Sequence, residues 1–425
     1  MSAQSAQTTF FRQSGWMVIA VTTSGIFMWA VHFPAMRRMP ETEYAMFAAL
    51  LQVLTLMLIP ALALQTVFAK QAAAAITEEQ RQQLTGTVRG LFVASTVFWM
   101  ICSVIVFVFR TDILQSLKIT NPAALWITML TCLPMLWLPI LEGVLQGSQN
   151  FLWLGWTNIF KGFGRFIGVL ITVVLLGGYA TAGIVAAFFG MMIAWGIGVW
   201  QTKEYWTGSA LPIQWNPWLA RVVPLTLGLG ATYFMLAADM IFVQMNFEDG
   251  RAPYAAAGTI ARGIVAFTGP LVMVMFPKIV RSAARSEDTN LLTQALGATA
   301  LMGGGVALGC TLLPTVPFHV LKPEFLPIAP LLPWFAWCMW PLTLTNVLVG
   351  NLLARSKFAA VPWLVLVSAT YGVTLALLRN HLNYEGSMQG FKQVVLTLGA
   401  FNLLLFLVAL WFTWRSRPKR AFHAP

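Results

Sequence analysis

The chain has 425 residues, of which 58% are hydrophobic and only 9% are charged. Soluble domains carry about 25% charged residues, so this composition excludes a soluble globular protein and indicates a polytopic membrane protein. The formal net charge of +12 requires no nucleic-acid partner, because basic loops and a basic C-terminal tail at the inner membrane surface account for most of it.

Twelve segments of the sequence are apolar and long enough to cross a bilayer, which takes about 20 residues each. In chain order they cover residues 14–34, 44–69, 89–109, 122–146, 151–176, 181–201, 219–246, 254–277, 292–316, 327–351, 359–379 and 391–414. The connections between them are too short to hold a soluble domain. The sequence therefore predicts an all-α membrane protein of about 12 transmembrane helices.

The positions of Lys and Arg predict the orientation of these segments. With the N-terminus in the cytoplasm, 15 of the 26 cations fall on the inner side, 8 fall in outer loops and 3 lie within spans. The positive-inside rule then places both termini in the cytoplasm. The polar residues 1–13 and the long first apolar run do not fit a cleavable signal peptide.

A repeat relates the second span to the eighth. Tyr44 and Pro60 in the second span recur as Tyr254 and Pro270 in the eighth, both at an offset of 210 residues. This offset is close to half the chain, and equal numbers of spans lie on either side. We therefore predict two six-helix lobes, residues 1–210 and 211–425, with a substrate cavity between them near the bilayer midplane.

The fifth span carries two cations and no acidic residue. Lys161 and Arg165 are four residues apart, so a helix places them on one face. A charge at the centre of a span costs about 2.5–3.5 kcal/mol on insertion scales, which makes each a candidate functional residue. Lys161 either faces the cavity or extends its side chain to the interface. Arg165 lies deeper, and we expect it to face the cavity.

Three further charges lie within spans, and their roles are open. Arg262, in the eighth span, is a candidate for substrate binding together with Lys161 and Arg165. Asp239, in the seventh span, either pairs with Arg262 or binds a coupling ion. Glu142, near the cytoplasmic end of the fourth span, belongs to the same class of ion-coupling or structural residues.

Several runs in the sequence resemble bacterial polysaccharide-biosynthesis flippases. These runs are Glu43–Leu51, Ile59–Lys70, Leu145–Phe151, Tyr254–Gly258 and Met275–Lys278. The resemblance covers most of the chain and points to the multidrug/oligosaccharidyl-lipid/polysaccharide (MOP) exporter superfamily, in its lipid-linked oligosaccharide branch. It implies a MATE-like fold of two six-helix lobes. Glu142 departs from the pattern, since a basic or neutral residue is expected before Gly143.

The resemblance implies a flippase that moves a polyprenyl-diphosphate-linked glycan across the bacterial cytoplasmic membrane by alternating access. The cations within spans, Arg165, Lys161 and Arg262, would then contact the diphosphate. We expect a monomer in contact with membrane lipid, without a cofactor or metal apart from a coupling H+ or Na+. The alternatives are a MATE-type cation-coupled multidrug antiporter and a membrane enzyme that uses lipid-linked sugars.

The absence of catalytic motifs from the sequence argues against the membrane enzyme. The sequence has no phosphate-binding glycine loop, catalytic triad pattern or paired-carboxylate motif, and its outer loops are short. The histidines are assigned to loops or the tail, without the spacing of a zinc site; they are residues 32, 319, 381 and 423. We therefore predict that the chain is not an enzyme.

Overall fold

The fold was analysed in a computed structural model, which describes residues 3–265, 291–355, 357–379 and 388–415. The first half of the chain forms helices α1 (Ala3–Ala30), α2 (His32–Arg38), α3 (Glu41–Leu56), α4 (Leu58–Ala74), α5 (Glu78–Val108), α6 (Arg110–Ser116), α7 (Pro122–Gly147), α8 (Phe151–Val169, continued by a π-helical turn Leu170–Leu175), α9 (Ala180–Gln201) and α10 (Glu204–Thr207). The second half forms α11 (Trp215–Asn246), α12 (residues 251–265), α13 (Leu291–Leu312), α14 (Val316–Leu321), a 3₁₀ segment (Pro323–Leu331), α15 (Leu332–Ala354), a 3₁₀ turn (Phe358–Ala360), α16 (Val361–Leu378) and α17 (Met388–Arg415).

The predicted membrane architecture is confirmed. Eleven helical stretches in the described ranges are long and apolar enough to span a membrane. They match every predicted span except the eighth, of which residues 251–265 are described and are helical. Pro270 and the run Met275–Lys278, which support the predicted repeat, lie outside the described residues, as do the basic tail residues after Arg415.

The second span is broken at the position that its proline dictates. Helix α3 ends at Leu56 and α4 begins at Leu58, with Met57 between them. Pro60 lacks a backbone N–H, and its ring clashes with the carbonyl four residues earlier, which belongs to Leu56. The prolines inside α7 and α11, by contrast, lie within continuous helices; they are Pro134, Pro139 and Pro224.

Two of the runs that carry the family resemblance pack directly against each other. A Cβ atom on Gly143 of α7 would lie 2.6 Å from the Gln65 carbonyl oxygen of α4, and one on Gly147 would overlap the Ala69 carbonyl oxygen. Only glycine permits such a close approach of two backbones. Gly147, in the run Leu145–Phe151, and Gly143, just before that run, are thus explained by helix packing.

Glu43, at the start of the same motif, also has a structural role. Its carboxylate accepts a hydrogen bond from the backbone N–H of Ala180, at the N-terminus of α9 (3.1 Å), and another from the Thr120 hydroxyl (2.7 Å). A carboxylate is favourable at this position because the first N–H groups of a helix have no partner within the helix. Glu43 therefore connects the second, fourth and sixth spans at one end of the bundle.

The two halves of the chain meet through the second and seventh spans and through polar contacts at one end of the bundle. Helix α11 packs against both α3 and α4. At the end of the bundle, Arg37 donates hydrogen bonds to the backbone oxygens of Val320 and Leu321. Lys118 Nζ donates a hydrogen bond to the Phe247 backbone oxygen (2.6 Å), and Gln244 Nε2 donates one to the Leu117 backbone oxygen (2.9 Å). We call the three donor residues Arg37, Lys118 and Gln244 the polar seal.

The close packing of α4 against α7 predicts that a glycine-to-alanine substitution lowers stability at this contact but not at an open position. The substitution Gly143→Ala should destabilise the protein by about 1–3 kcal/mol, because the added methyl group overlaps the α4 backbone. Gly196→Ala is the matched control, since a Cβ there meets nothing within 4 Å. Thermal unfolding of the detergent-solubilised variants measures the difference. Equal melting temperatures for the two variants would contradict the packing account.

Candidate functional site

A buried ion pair lies between the seventh and eighth spans. Arg262 Nη2 lies 2.6 Å from Asp239 Oδ1 and 2.7 Å from Oδ2, and Arg262 Nε donates to the Leu236 oxygen (2.8 Å). The Tyr254 hydroxyl donates a further hydrogen bond to Asp239 Oδ2 (2.8 Å). Asp239 is fully buried and Arg262 is 8% exposed. The structure thus contains the pairing that was one of the two interpretations of Asp239.

Space for the Arg262 side chain is provided by a glycine. A Cβ atom on Gly258, one turn earlier on α12, would overlap Arg262 Nη1. The guanidinium carbon lies 5.4 Å from the centre of the Phe335 ring. Nη1 itself is buried without a hydrogen-bond acceptor. One edge of the guanidinium therefore keeps donor capacity that Asp239 and Leu236 do not use.

Lys161 also has an acidic partner. Its Nζ atom lies 2.7 Å from Glu142 Oε1, and the side chains of Lys161 and Glu142 are 18% and 4% exposed. Sequence reasoning considered cavity and interface positions for Lys161, but it did not consider this pair. Whether Lys161 reaches Glu142 depends on how α7 and α8 are aligned against each other. The hydrophobic periodicity of the sequence does not predict that alignment. The acid that departs from the family pattern thus neutralises one of the predicted cations.

Arg165 differs from the other two cations. No acidic group among the described side chains forms an ion pair with it, and its Nε atom is buried without an acceptor. Small residues hold this part of α8 against its neighbours: Gly162 contacts the backbone of Ser24, and Gly164 contacts Gly190 of α9. Arg165 is therefore a positive charge at a closely packed, fixed position with unused donor capacity.

His32 was wrongly assigned to a loop, and the structure corrects this. It is the first residue of α2, only 7% exposed, and its Nδ1 atom lies 3.3 Å from the Tyr44 hydroxyl. His32 lies within the predicted span 14–34 and also within the observed first span, which extends to Arg38. His319, by comparison, lies exposed on α14.

The two repeat-related tyrosines have equivalent roles. Tyr44 hydrogen-bonds to His32 of the preceding span, and Tyr254 hydrogen-bonds to Asp239 of its preceding span. Both tyrosines are fully buried. The offset of 210 residues therefore relates two positions with the same kind of contact, one in each half of the chain.

The whole chain is similar to solved transporter structures. It matches the inward-facing conformation of a multidrug resistance MATE family transporter of the MOP superfamily, with a TM-score of 0.70, 11% identity, and coverage of 93% of this chain and 94% of that chain. A second match is the lipid II flippase MurJ in an inward closed conformation, with a TM-score of 0.68, 13% identity, and coverage of 93% and 87%. The chain has a MATE-like fold.

A third solved structure with this fold is a MOP superfamily transporter from Pyrococcus furiosus. It has a TM-score of 0.67 and 12% identity, with 95% of this chain and 94% of that chain covered, and its binding pocket is described as having reverse polarity. No family model matches the sequence, and no curated protein matches it. The fold assignment thus rests on structural similarity.

Within this MATE-like fold, the predicted site residues separate into two types. Lys161–Glu142 and Arg262–Asp239 are ion pairs, and each leaves little net charge in the apolar interior. Arg165 adds a positive charge that forms no ion pair with any described acidic side chain. The arrangement favours an anion over a cation at this position, because a cation would meet Arg165 without a nearby carboxylate that is free of its own partner.

The Arg262–Asp239 pair predicts a strong interdependence of its two members. Asp239→Asn should destabilise the protein by about 3–5 kcal/mol, because it leaves a buried guanidinium without a counter-charge. The double substitution Asp239→Leu with Arg262→Met removes both charges and should recover most of the lost stability. Thermal unfolding of the single and double variants measures this. A double variant that is as unstable as Asp239→Asn would contradict the pairing account.

Proposed function

We propose that this protein is a flippase that carries a lipid-linked oligosaccharide or polysaccharide precursor from the inner to the outer leaflet of the bacterial cytoplasmic membrane. The uncompensated charge of Arg165 is the observation that supports this proposal. A polyprenyl-diphosphate head group is anionic and must cross the hydrocarbon region. Arg binds phosphate oxygens through its planar fork of N–H donors, which suits that head group.

The positions of the other charges fit the same proposal. Arg262 comes from the second half of the chain and keeps Nη1 free, so it can approach a phosphate that Arg165 holds from the first half. Lys161 lies one turn from Arg165 towards the cytoplasmic end and is partly exposed. An anion that enters from the cytoplasm would meet Lys161 before Arg165.

Alternating access would connect binding to transport. In the predicted orientation the polar seal lies on the outer side, so the described conformation holds the two halves together at the outer surface. Transport requires that these contacts break and that the halves separate there. The donors of the seal bind backbone oxygens, which makes the closure reversible without separating a buried ion pair.

The alternative function is a cation-coupled multidrug antiporter. Two solved structures of similar fold are named multidrug resistance MATE family transporters. A drug cation would need a carboxylate in the cavity. Asp239 and Glu142 are the buried acids among the described residues, and both are paired with a cation in the structure. Such an antiporter would have to release Asp239 from Arg262 to bind its ion, whereas the flippase needs no such step.

The flippase proposal predicts a specific loss of transport in Arg165→Ala. Proteoliposomes that contain a fluorescent polyprenyl-diphosphate-linked sugar report its movement between leaflets. Arg165→Ala should slow the initial rate by about tenfold or more, since a hydrogen bond to a charged group contributes about 1.5–3 kcal/mol. Arg165→Lys should be intermediate, because it keeps the charge without the planar fork.

Arg221→Ala is the matched control for this experiment, since Arg221 is an exposed arginine near the start of α11. It should transport at the wild-type rate. Normal transport by Arg165→Ala would contradict the site. Efflux of the cationic dye ethidium by the wild-type protein, without movement of the sugar lipid, would favour the antiporter instead.

A further inference from the structure

The third span, α5, is the span that the rest of the protein covers least. Only 11% of its most apolar 18-residue stretch is buried, the lowest share among the described spans. An open groove of about 760 Å³ lies along this exposed face. A cation, a tryptophan and a series of apolar residues line it, among them Arg89, Val93, Val97, Phe98, Ile101 and Trp215. No acidic side chain of the described residues lines this groove.

The groove is charged at one end and apolar along its length. Arg89 is the first residue of the predicted third span, and Val93, Val97 and Ile101 follow it at intervals of four residues, so a helix places them along one face. All three apolar side chains are exposed. Trp215, the first residue of α11, borders the groove, and tryptophan is typical of the membrane interface. This arrangement matches a membrane lipid, which has a charged head group and apolar chains.

The length of the groove matches one leaflet of the bilayer. Ile101 follows Arg89 by twelve residues, which places the two about 18 Å apart along the axis of α5. Half of the hydrocarbon core measures about 15 Å. With Arg89 at the level of the head groups, Ile101 therefore lies near the bilayer midplane. A single acyl chain, which extends from the head group to the midplane, fits this length.

The guanidinium of Arg89 is held in place and still has unused donors. Its Nε atom donates a hydrogen bond to the Trp206 backbone oxygen (2.7 Å), and its Nη2 atom donates one to the Gly208 backbone oxygen (2.6 Å). None of the ion pairs among the described side chains includes Arg89. Its Nη1 atom is thus available to an anionic oxygen from outside the protein, and Arg binds phosphate oxygens well through its planar fork of donors.

The backbone that Arg89 binds belongs to the segment that joins the two halves of the chain, residues 202–214. This segment lies against the N-terminal part of α5. The Leu211 N–H donates a hydrogen bond to the Gln82 oxygen (3.0 Å), and a Cβ atom on Gly86 would overlap the Leu211 oxygen. A head group bound to Arg89 would therefore contact the side chain that holds this connection against α5.

We propose that this groove is a binding site for a membrane phospholipid with an anionic head group. The lipid phosphate accepts hydrogen bonds from Arg89, and one acyl chain lies along Val93, Val97 and Ile101. In the predicted orientation Arg89 lies on the cytoplasmic side, so the lipid belongs to the inner leaflet. The site is independent of the proposed function, because it requires neither Arg165 nor the movement of a sugar lipid.

Native mass spectrometry of the purified, full-length protein in detergent tests the proposal, since it counts individual bound lipids. The probes are phosphatidylglycerol, which is anionic, and phosphatidylcholine, which has no net charge, with identical acyl chains. The wild-type protein should bind its first phosphatidylglycerol about fivefold more tightly than its first phosphatidylcholine, because the choline cation offsets the attraction between phosphate and Arg89. Equal affinities for the two lipids would overturn the proposal.

Two arginine variants locate the head group. Arg89→Gln should bind the two lipids with equal affinity. Arg110→Gln is the matched control and should keep the preference, because Arg110 is an exposed arginine just beyond the other end of α5. A preference that persists in Arg89→Gln would overturn the proposal. Loss of the preference in Arg165→Ala, with Arg89→Gln unchanged, would locate the anionic lipid at the proposed substrate site and would also overturn it, while the flippase proposal would stand.

Two valine variants locate the acyl chain. Val97→Trp fills the groove and should lose the tight binding of the first phosphatidylglycerol. Val104→Trp is the matched control and should bind as the wild-type protein does, because Val104 is exposed on the same helix but does not line the groove. Tight binding by Val97→Trp would overturn the proposal. Both valines are exposed, so this comparison decides even if Arg89→Gln fails to fold.

Discussion

The free-energy cost of placing a charged side chain in the hydrocarbon core of the bilayer explains how the charges inside this protein are paired. Each isolated charge at the centre of a span costs about 2.5–3.5 kcal/mol on insertion scales. Two of the three cations within spans offset this cost with an acid: Arg262 pairs with Asp239, and Lys161 pairs with Glu142. Arg165 has no such partner among the described side chains, and this difference makes it the centre of the functional account.

Arg165 and Arg262 come from different halves of the chain. Trp29 of α1 donates a hydrogen bond to the Thr259 backbone of α12, and α1 also packs on α8, the helix that carries Arg165. An anion bound by both arginines would touch both halves. Its binding can therefore shift the balance between arrangements of the halves, which is what a ligand must do to drive alternating access.

Much of the fold follows from the sequence, because each span must satisfy its own backbone hydrogen bonds and must be apolar for about 20 residues. The sequence also predicted the Asp239–Arg262 pair as one of two interpretations, because an unpaired acid and an unpaired cation in adjacent spans would each cost free energy in the bilayer. The Lys161–Glu142 pair depends on how α8 is rotated against α7, which side-chain packing decides. His32 lies two residues before the predicted end of the first span, and its contact with Tyr44 depends on side-chain packing that the sequence pattern does not specify.

The location of a bound diphosphate tests the central claim most directly. Electron cryomicroscopy of the protein in nanodiscs with a soluble short-chain polyprenyl diphosphate would show where the head group lies. The account predicts phosphate density within hydrogen-bonding distance of the Arg165 guanidinium, with the Asp239–Arg262 pair intact. A head group that binds elsewhere, with Arg165 in contact only with protein groups, would contradict it.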